Sequence, residues 1–118
     1  MKLEYTEDKM YLGHILESAQ EIQGYITGID KRTFLRERIV QDAVIRRFEI
    51  LGEATKRLTK HVQSQKPAIP WKRIAGMRDR LIHDYFSVDL DLVWQTAKKE
   101  LPSLIRAVDQ LLNEKPVR

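Results

Sequence analysis

The sequence predicts an all-α protein, an up-and-down bundle of four to five helices. Three observations lead there. Apolar residues recur at spacings of three and four along most of the chain, the repeat of a helix with one buried face. No segment alternates apolar and polar residues with the two-residue period of a half-buried strand. The chain has 118 residues, 42% of them hydrophobic, enough for one domain over residues 1–118 in which amphipathic helices bury their stripes against one another.

The elements follow in order. Leu12, Ile15, Leu16, Ala19, Ile22 and Ile26 form one stripe of a long first helix. Gly24 weakens its end, and Gly28 is the better stop signal. Asp30 is suited to cap a new helix beginning at Lys31. A second long stripe comprises Val40, Ala43, Val44, Phe48, Leu51, Ala54, Thr55, Leu58 and Val62. Residues 63–70, QSQKPAIP, read as a loop, with Pro70 suited to the first turn of the next helix. Trp71 to about Asp84 forms a third helix. Ser87 to Asp89 offer caps for a fourth, whose Leu90, Val93, Trp94 and Ala97 point inward. Pro102 should kink or restart it, after which Leu104, Ile105, Val108, Leu111 and Leu112 continue the stripe. The tail, 113–118, is expected to fray.

Composition narrows the classes of function. Charged residues make up 32% of the chain, in keeping with a folded, water-exposed surface. No apolar run approaches the roughly 20 residues that span a bilayer, and MKLEYTEDKMYL at the start has no apolar signal-peptide core. There is no cysteine, so no disulfide framework and no thiolate metal site. A cytoplasmic protein with no membrane partner is expected. Net charge is +4, and its distribution is uneven. Residues 56–80 hold Lys56, Arg57, Lys60, Lys66, Lys72, Arg73, Arg78 and Arg80 against Asp79 alone. Such a segment is either a solvated helix end and loop or an attractor of anions, nucleic acid among them.

Several chemistries lack their residues. No glycine-rich phosphate loop occurs, and no GxGxxG. The paired Glu-x-x-His sets of a di-iron bundle are missing, and no metal or other cofactor is expected. His14 and Glu17 stand three apart, but one such pair is weak evidence for a metal and reads as surface. His61, near the end of the second long helix, also reads as surface. Gly52 costs a helix roughly 1 kcal/mol relative to alanine, and its use is expected to be close approach of another helix. Glu53 beside it is expected to pair with a lysine or arginine and is given no chemistry.

The stretch GMRDRLIHDYF (76–86) remains. Metal-free chemistry on a phosphodiester needs a group that exchanges protons near neutral pH, for which histidine is suited. It also needs a fixed cation for the transition-state charge, and arginine's planar fork fits phosphate oxygens. Arg78 and His83 supply both types. On a straight helix, however, they lie roughly 140° apart. A helix end near Asp84, arginine's reach or a second subunit would have to bring them together. Asp79 and His83 stand at i,i+4, so the carboxylate could orient the imidazole. Spacing alone leaves a solvated helix with an Asp–His pair as the plainer reading.

The octad RDRLIHDY (78–85) matches the R-x4-H-x-Y motif of the HepT-like branch of HEPN-domain proteins, which this chain resembles. IPWKRIAGMRDRLIHDYFSVDLDLVW (69–94) is similar to that branch's signature nearly throughout, and RRFEILGEATKRL (46–58) to its preceding helix. The resemblance covers most of the chain, from the first helix to about Leu104. It implies an all-helical, HEPN-like homodimer acting as a metal-independent endoribonuclease, the toxin of a toxin–antitoxin system. It implies that Arg78 and His83 are catalytic, in a cleft at the dimer interface. It further implies a partner, an MNT-type nucleotidyltransferase antitoxin that binds the toxin and transfers AMP to Tyr85. Asp79 would support His83, and Arg80, a further cation inside the motif, would share phosphate binding. Two rival readings are a non-catalytic RNA- or nucleotide-binding module that partners a nucleotidyltransferase, and a pure interaction bundle.

Overall fold

The computed structural model describes residues 6–83 and 88–114, without the side chains of Thr6, Ile82 and His83. Among the described residues there are seven helices and no strand: α1 (Thr6–Ile26), α2 (Lys31–Phe34), α3 (Arg38–Lys56), α4 (Lys60–Ser64), α5 (Trp71–His83), α6 (Leu90–Lys99) and α7 (Leu101–Leu112). Five are long and two, α2 and α4, are about one turn each. The all-α expectation holds.

The boundaries have local causes. α1 runs through Gly24 and stops before Gly28, whose φ of +82° is the left-handed conformation that favours glycine. Asp30 caps α2 by accepting a hydrogen bond from the Thr33 amide at 2.8 Å, and Asp89 caps α6 in the same way through Leu92 at 3.1 Å. Ser87 lies outside the described residues, as does the tail beyond Glu114. Pro102 restarts the helix: α6 ends at Lys99, α7 begins at Leu101, and the proline occupies a first-turn position where its missing N–H costs nothing.

One boundary corrects the sequence reading. The stripe from Val40 to Val62 is not one helix. α3 ends at Lys56, and Thr59 caps a separate α4 by accepting from the Val62 amide. The cause is long-range. Asp8, in the first turn of α1 and only 1% exposed, accepts hydrogen bonds from the Thr59 amide at 3.0 Å and the Thr59 hydroxyl at 2.8 Å. A buried carboxylate requires such partners, and holding Thr59 in an extended conformation breaks the helix there. Leu58 and Val62 still reach the core because the helical spacing resumes after the break. His61 is exposed on α4, not on the end of a long helix.

Packing follows the stripes. Leu12, Ile15, Ala19 and Ile22 of α1 are fully buried, each of the larger ones contributing about 1.5–3 kcal/mol by removal from water. α1 lies between α3 on one side and α7 on the other. α3 in turn packs on α5, and α7 on α6. The order across the molecule is therefore α5, α3, α1, α7, α6. α5 and α6, at the two ends of that series, make little direct contact. α2 bridges toward α6 through the Phe34–Trp94 ring contact at 5.2 Å and the Lys31–Asp91 ion pair at 2.7 Å. Trp71 anchors the start of α5, its indole N–H shared between the carbonyls of Gln63 and Lys66, both at 3.0 Å. No helix among the described residues is long and apolar enough to cross a membrane.

Candidate active site

α5 carries the motif, and its inner face explains how it is held. Ile74, Met77 and Leu81 are buried, a three-and-four spacing that turns one stripe of α5 to the core. Arg78 follows Met77 and meets α3 at Gly52. A Cβ built on Gly52 would lie 2.5 Å from Arg78 Cβ, 3.1 Å from its backbone nitrogen and 3.3 Å from its Cα. The missing side chain is what lets the two helices touch, as the sequence suggested.

That contact sets the charges. Arg78 Nε lies 3.2 Å from Glu53 Oε1, and Arg78 Nη1 donates to Asp79 Oδ1 at 3.0 Å. Glu53 Oε2 accepts from Arg57 Nε at 3.1 Å, and Asp79 Oδ1 also accepts from Lys56 Nζ at 3.3 Å. The result is an alternating chain, Arg57–Glu53–Arg78–Asp79–Lys56, with three cations on two carboxylates. Hydrogen bonds from Arg78 and then Lys56 hold the Asp79 carboxyl below the usual carboxylate range, against the opposing effect of desolvation. The bond to Glu53, followed by the influence of Tyr11, raises the Arg57 pKa. Arg78 nevertheless keeps a third of its side chain exposed. It lines a cavity of about 300 Å³ with Tyr11, His14, Glu49 and Glu53. The His14 ring stands edge-on to Tyr11, centroids 6.2 Å apart at 79°.

Arg80 faces elsewhere. Two residues along a helix is a turn of about 200°, and Arg80 lines a separate groove of about 520 Å³ between α5 and α6. It forms no ion pair among the described residues, whereas Arg78 is bound to two carboxylates. α5 is helical from Trp71 through His83, so the backbone keeps the angle between positions 78 and 83 and no break between them closes it. The register places position 83 on the side of Gly76 and Arg80. The His83 side chain and the whole of Tyr85 lie outside the described residues, and with them the expected Asp79–His83 pair.

The expected pairing of Glu53 with a lysine or arginine is present, to Arg78 and Arg57. Sequence reasoning left out two contributors: Lys56 went unnoticed as a partner of Asp79, and His14 was read only as surface. His14 and Glu17 are indeed exposed, but His14 also opens onto the cavity of Arg78. The particular partner of Glu53 was within reach of inference: if Gly52 marks the point of closest approach, its neighbour faces the cations of the approaching helix. Nothing in the spacing brings Tyr11 and His14 to α5, because that depends on how α1 lies across α3. Among the described residues no group of three or more His, Cys, Asp or Glu is placed to hold a metal ion.

Fold and motif together define an HEPN-like all-α domain. The family described as "Ribonuclease HepT-like" matches residues 15–111, and the chain belongs to that family. It is 43% identical over 96 residues to "Probable ribonuclease HepT" of Thermococcus cleftensis, covering 81% of this chain and 87% of that one. It is 39% identical over 104 residues to "Putative RNase TTE0752" of Caldanaerobacter subterraneus subsp. tengcongensis, covering 88% and 93%. It is 44% identical over 106 residues to "Gamma-glutamylcyclotransferase and putative RNase MJ0434" of Methanocaldococcus jannaschii, covering 90% of this chain but only 48% of that longer protein, so the chain spans about half its length. No solved structure matches the chain.

Proposed function

We propose that this protein is a metal-independent RNA endonuclease, the toxin of a toxin–antitoxin system. The observation that carries this reading is the family match over residues 15–111, which contains the whole R-x4-H-x-Y motif. The names of its relatives assign ribonuclease activity to them. The charge of residues 56–80 and the one-third-exposed side chain of Arg78 suit a polyanionic substrate.

In this mechanism the 2′-hydroxyl of the RNA attacks the adjacent phosphorus, and the bond from phosphorus to the 5′-oxygen breaks. His83 removes the 2′ proton or delivers a proton to the departing 5′-oxygen, and two symmetry-related histidines divide those roles in a homodimer. Arg78 binds the phosphate and stabilises the charge that grows on it. The products are a 2′,3′-cyclic phosphate and a 5′-hydroxyl. Because the backbone of α5 keeps positions 78 and 83 on different sides, the second subunit is the element that brings an arginine and a histidine to one phosphate. The antitoxin is a nucleotidyltransferase of the MNT type, which transfers AMP from ATP to the Tyr85 hydroxyl with loss of pyrophosphate. The added bulk and negative charge repel RNA from the cleft.

The test uses purified protein and a defined RNA, with and without EDTA, comparing wild type with Arg78→Ala and His83→Ala. General acid–base catalysis accounts for about 10²–10⁴-fold in rate, so His83→Ala should lose that much while keeping the helical circular dichroism of the wild type. Full-rate cleavage by His83→Ala, or cleavage abolished by EDTA, overturns the mechanism. RNA retained without cleaved ends by the wild type would favour a binding module instead.

A further inference from the structure

The helices are ordered α5, α3, α1, α7, α6, and the seam between the two ends is open. This groove of about 520 Å³ is of the size that holds a small ligand. Its floor is apolar, from Met77 of α5 and Leu92 of α6. Its rim is cationic. Arg73 is tied to Glu100 across the groove, which cancels both charges. Arg80 and Lys99 then remain, both exposed and neither in an ion pair among the described residues. Asp89 borders a small adjoining recess of about 40 Å³ next to Arg80, but its carboxylate is engaged in capping α6. Thr96 spends its hydroxyl on the Leu92 carbonyl at 2.8 Å, whereas the exposed amide of Gln95 offers both a donor and an acceptor at the groove.

An apolar slot, one two-way hydrogen-bonding amide and two cations without an ion pair among the described residues together match a nucleotide. The base can lie on the slot with its edge at Gln95, and the phosphates can lie on Arg80 and Lys99. Single-stranded RNA is recognised by bases turned out of the stack into such slots, with cations tracking the backbone. The register of α5 also leads the groove from Gly76 past Arg80 to position 83. We infer that the α5–α6 groove is a subsite for one nucleotide of single-stranded RNA, flanking the bond to be cut. It is lined by Met77, Arg80, Leu92, Gln95 and Lys99. This inference rests on the ribonuclease reading, and assigns Arg80 to substrate backbone on a different face from Arg78.

Two variants probe the groove by different means. Lys99→Glu reverses a charge. Gly76→Leu fills the space, and a Cβ there meets nothing within 4 Å. Binding of a short single-stranded RNA is measured by fluorescence anisotropy in the His83→Ala background, so that cleavage does not enter. Lys99→Glu should weaken binding about tenfold and lower the slope of log affinity against log salt by about one. Gly76→Leu should weaken binding without changing that slope. Arg106→Glu, an equal charge change at an exposed position of α7 outside residues 56–80, should stay within about twofold, the share due to net charge alone. Wild-type affinity in both groove variants overturns the subsite. So does sedimentation showing that either variant dissociates a dimer, which would make the groove an interface between copies. If the wild type cleaves RNA and the groove variants bind normally, the subsite fails and the ribonuclease reading stands. If the wild type cleaves nothing but binding depends on the groove, the reverse holds.

Discussion

Gly52 and Arg78 meet backbone to backbone, with no room for even a methyl group between α3 and α5. Gly52→Ala therefore sets two effects against each other. The helix gains about 1 kcal/mol in propensity, but a Cβ at 2.5 Å from Arg78 Cβ forces the helices apart, and overpacking of this kind costs about 1–3 kcal/mol or more. The clash involves backbone atoms that cannot swing away, so it should win. Urea denaturation should show a net loss of stability. Gly24→Ala in α1, where a Cβ meets nothing within 4 Å, should show a gain of about 0.5–1 kcal/mol. A stabilised Gly52→Ala would mean that α5 does not press on α3 as described.

Glu53 grips the guanidinium of Arg78 at Nε and should act as a positioning residue. Removing it by Glu53→Ala frees Arg78 to swing, and a displacement of about 1 Å at a reacting group can lower the rate by up to about 10²-fold. Stability should hardly move, because such partly exposed ion pairs contribute about 0–1 kcal/mol. The expected pattern in RNA cleavage is a fall in kcat of ten- to a hundredfold, with the melting temperature nearly unchanged and partial recovery in Glu53→Asp. A melting temperature that falls as steeply as kcat would make the role structural.

Asp8 and Thr59 are joined by two hydrogen bonds across 51 positions. Asp8→Ala strands the Thr59 hydroxyl and amide and loosens the break between α3 and α4. It should cost about 1–3 kcal/mol in denaturant unfolding. In a double-mutant cycle with Thr59→Ala the two losses should be far from additive. Additive losses would show that the two residues act separately.

The pH response of Asp79 has a definite sign. Its folded-state pKa is depressed, chiefly by the hydrogen bond from Arg78 and then by that from Lys56. The stability it contributes is therefore fully present above the unfolded carboxyl value of about 3.9, and is lost as pH falls through the lower folded value. Carbon-detected NMR titration should place the Asp79 carboxyl below the ordinary aspartate value. Lys56→Met should raise it, and Arg78→Met should raise it further. An Asp79 that titrates at the ordinary aspartate value would dissolve the charge chain that holds Arg78.

Much of this was legible in the residues. Stripes such as Leu12–Ile15–Ala19–Ile22 are local facts, because helical period and burial are two views of one spacing. Gly28, Asp30, Asp89 and Pro102 act within a turn of themselves, and each terminates or starts a helix where its chemistry requires. The break at Thr59 was not legible, since its cause is a carboxylate 51 positions away. The same limit applies to the site. The octad 78–85 could be recognised, and Gly52 could be read as a contact point. The company that Arg78 keeps with Tyr11, His14 and Lys56, and the separation of Arg80 into another groove, depend on the order in which helices lie side by side. No spacing within one helix encodes that order.

The order also bears on how the protein is made. α1 is covered on one side by α3 and on the other by α7, so α1 leaves the ribosome with only half its cover until α7 has been synthesised. During that interval its stripe must stay in contact with water or with a chaperone, since domains generally complete their folding only once the whole unit has been released. A nascent chain already carrying the motif of α5 thus lacks a finished core to hold it. Pausing translation between residues 83 and 101 should leave α1 open to protease, and release of α7 should close it.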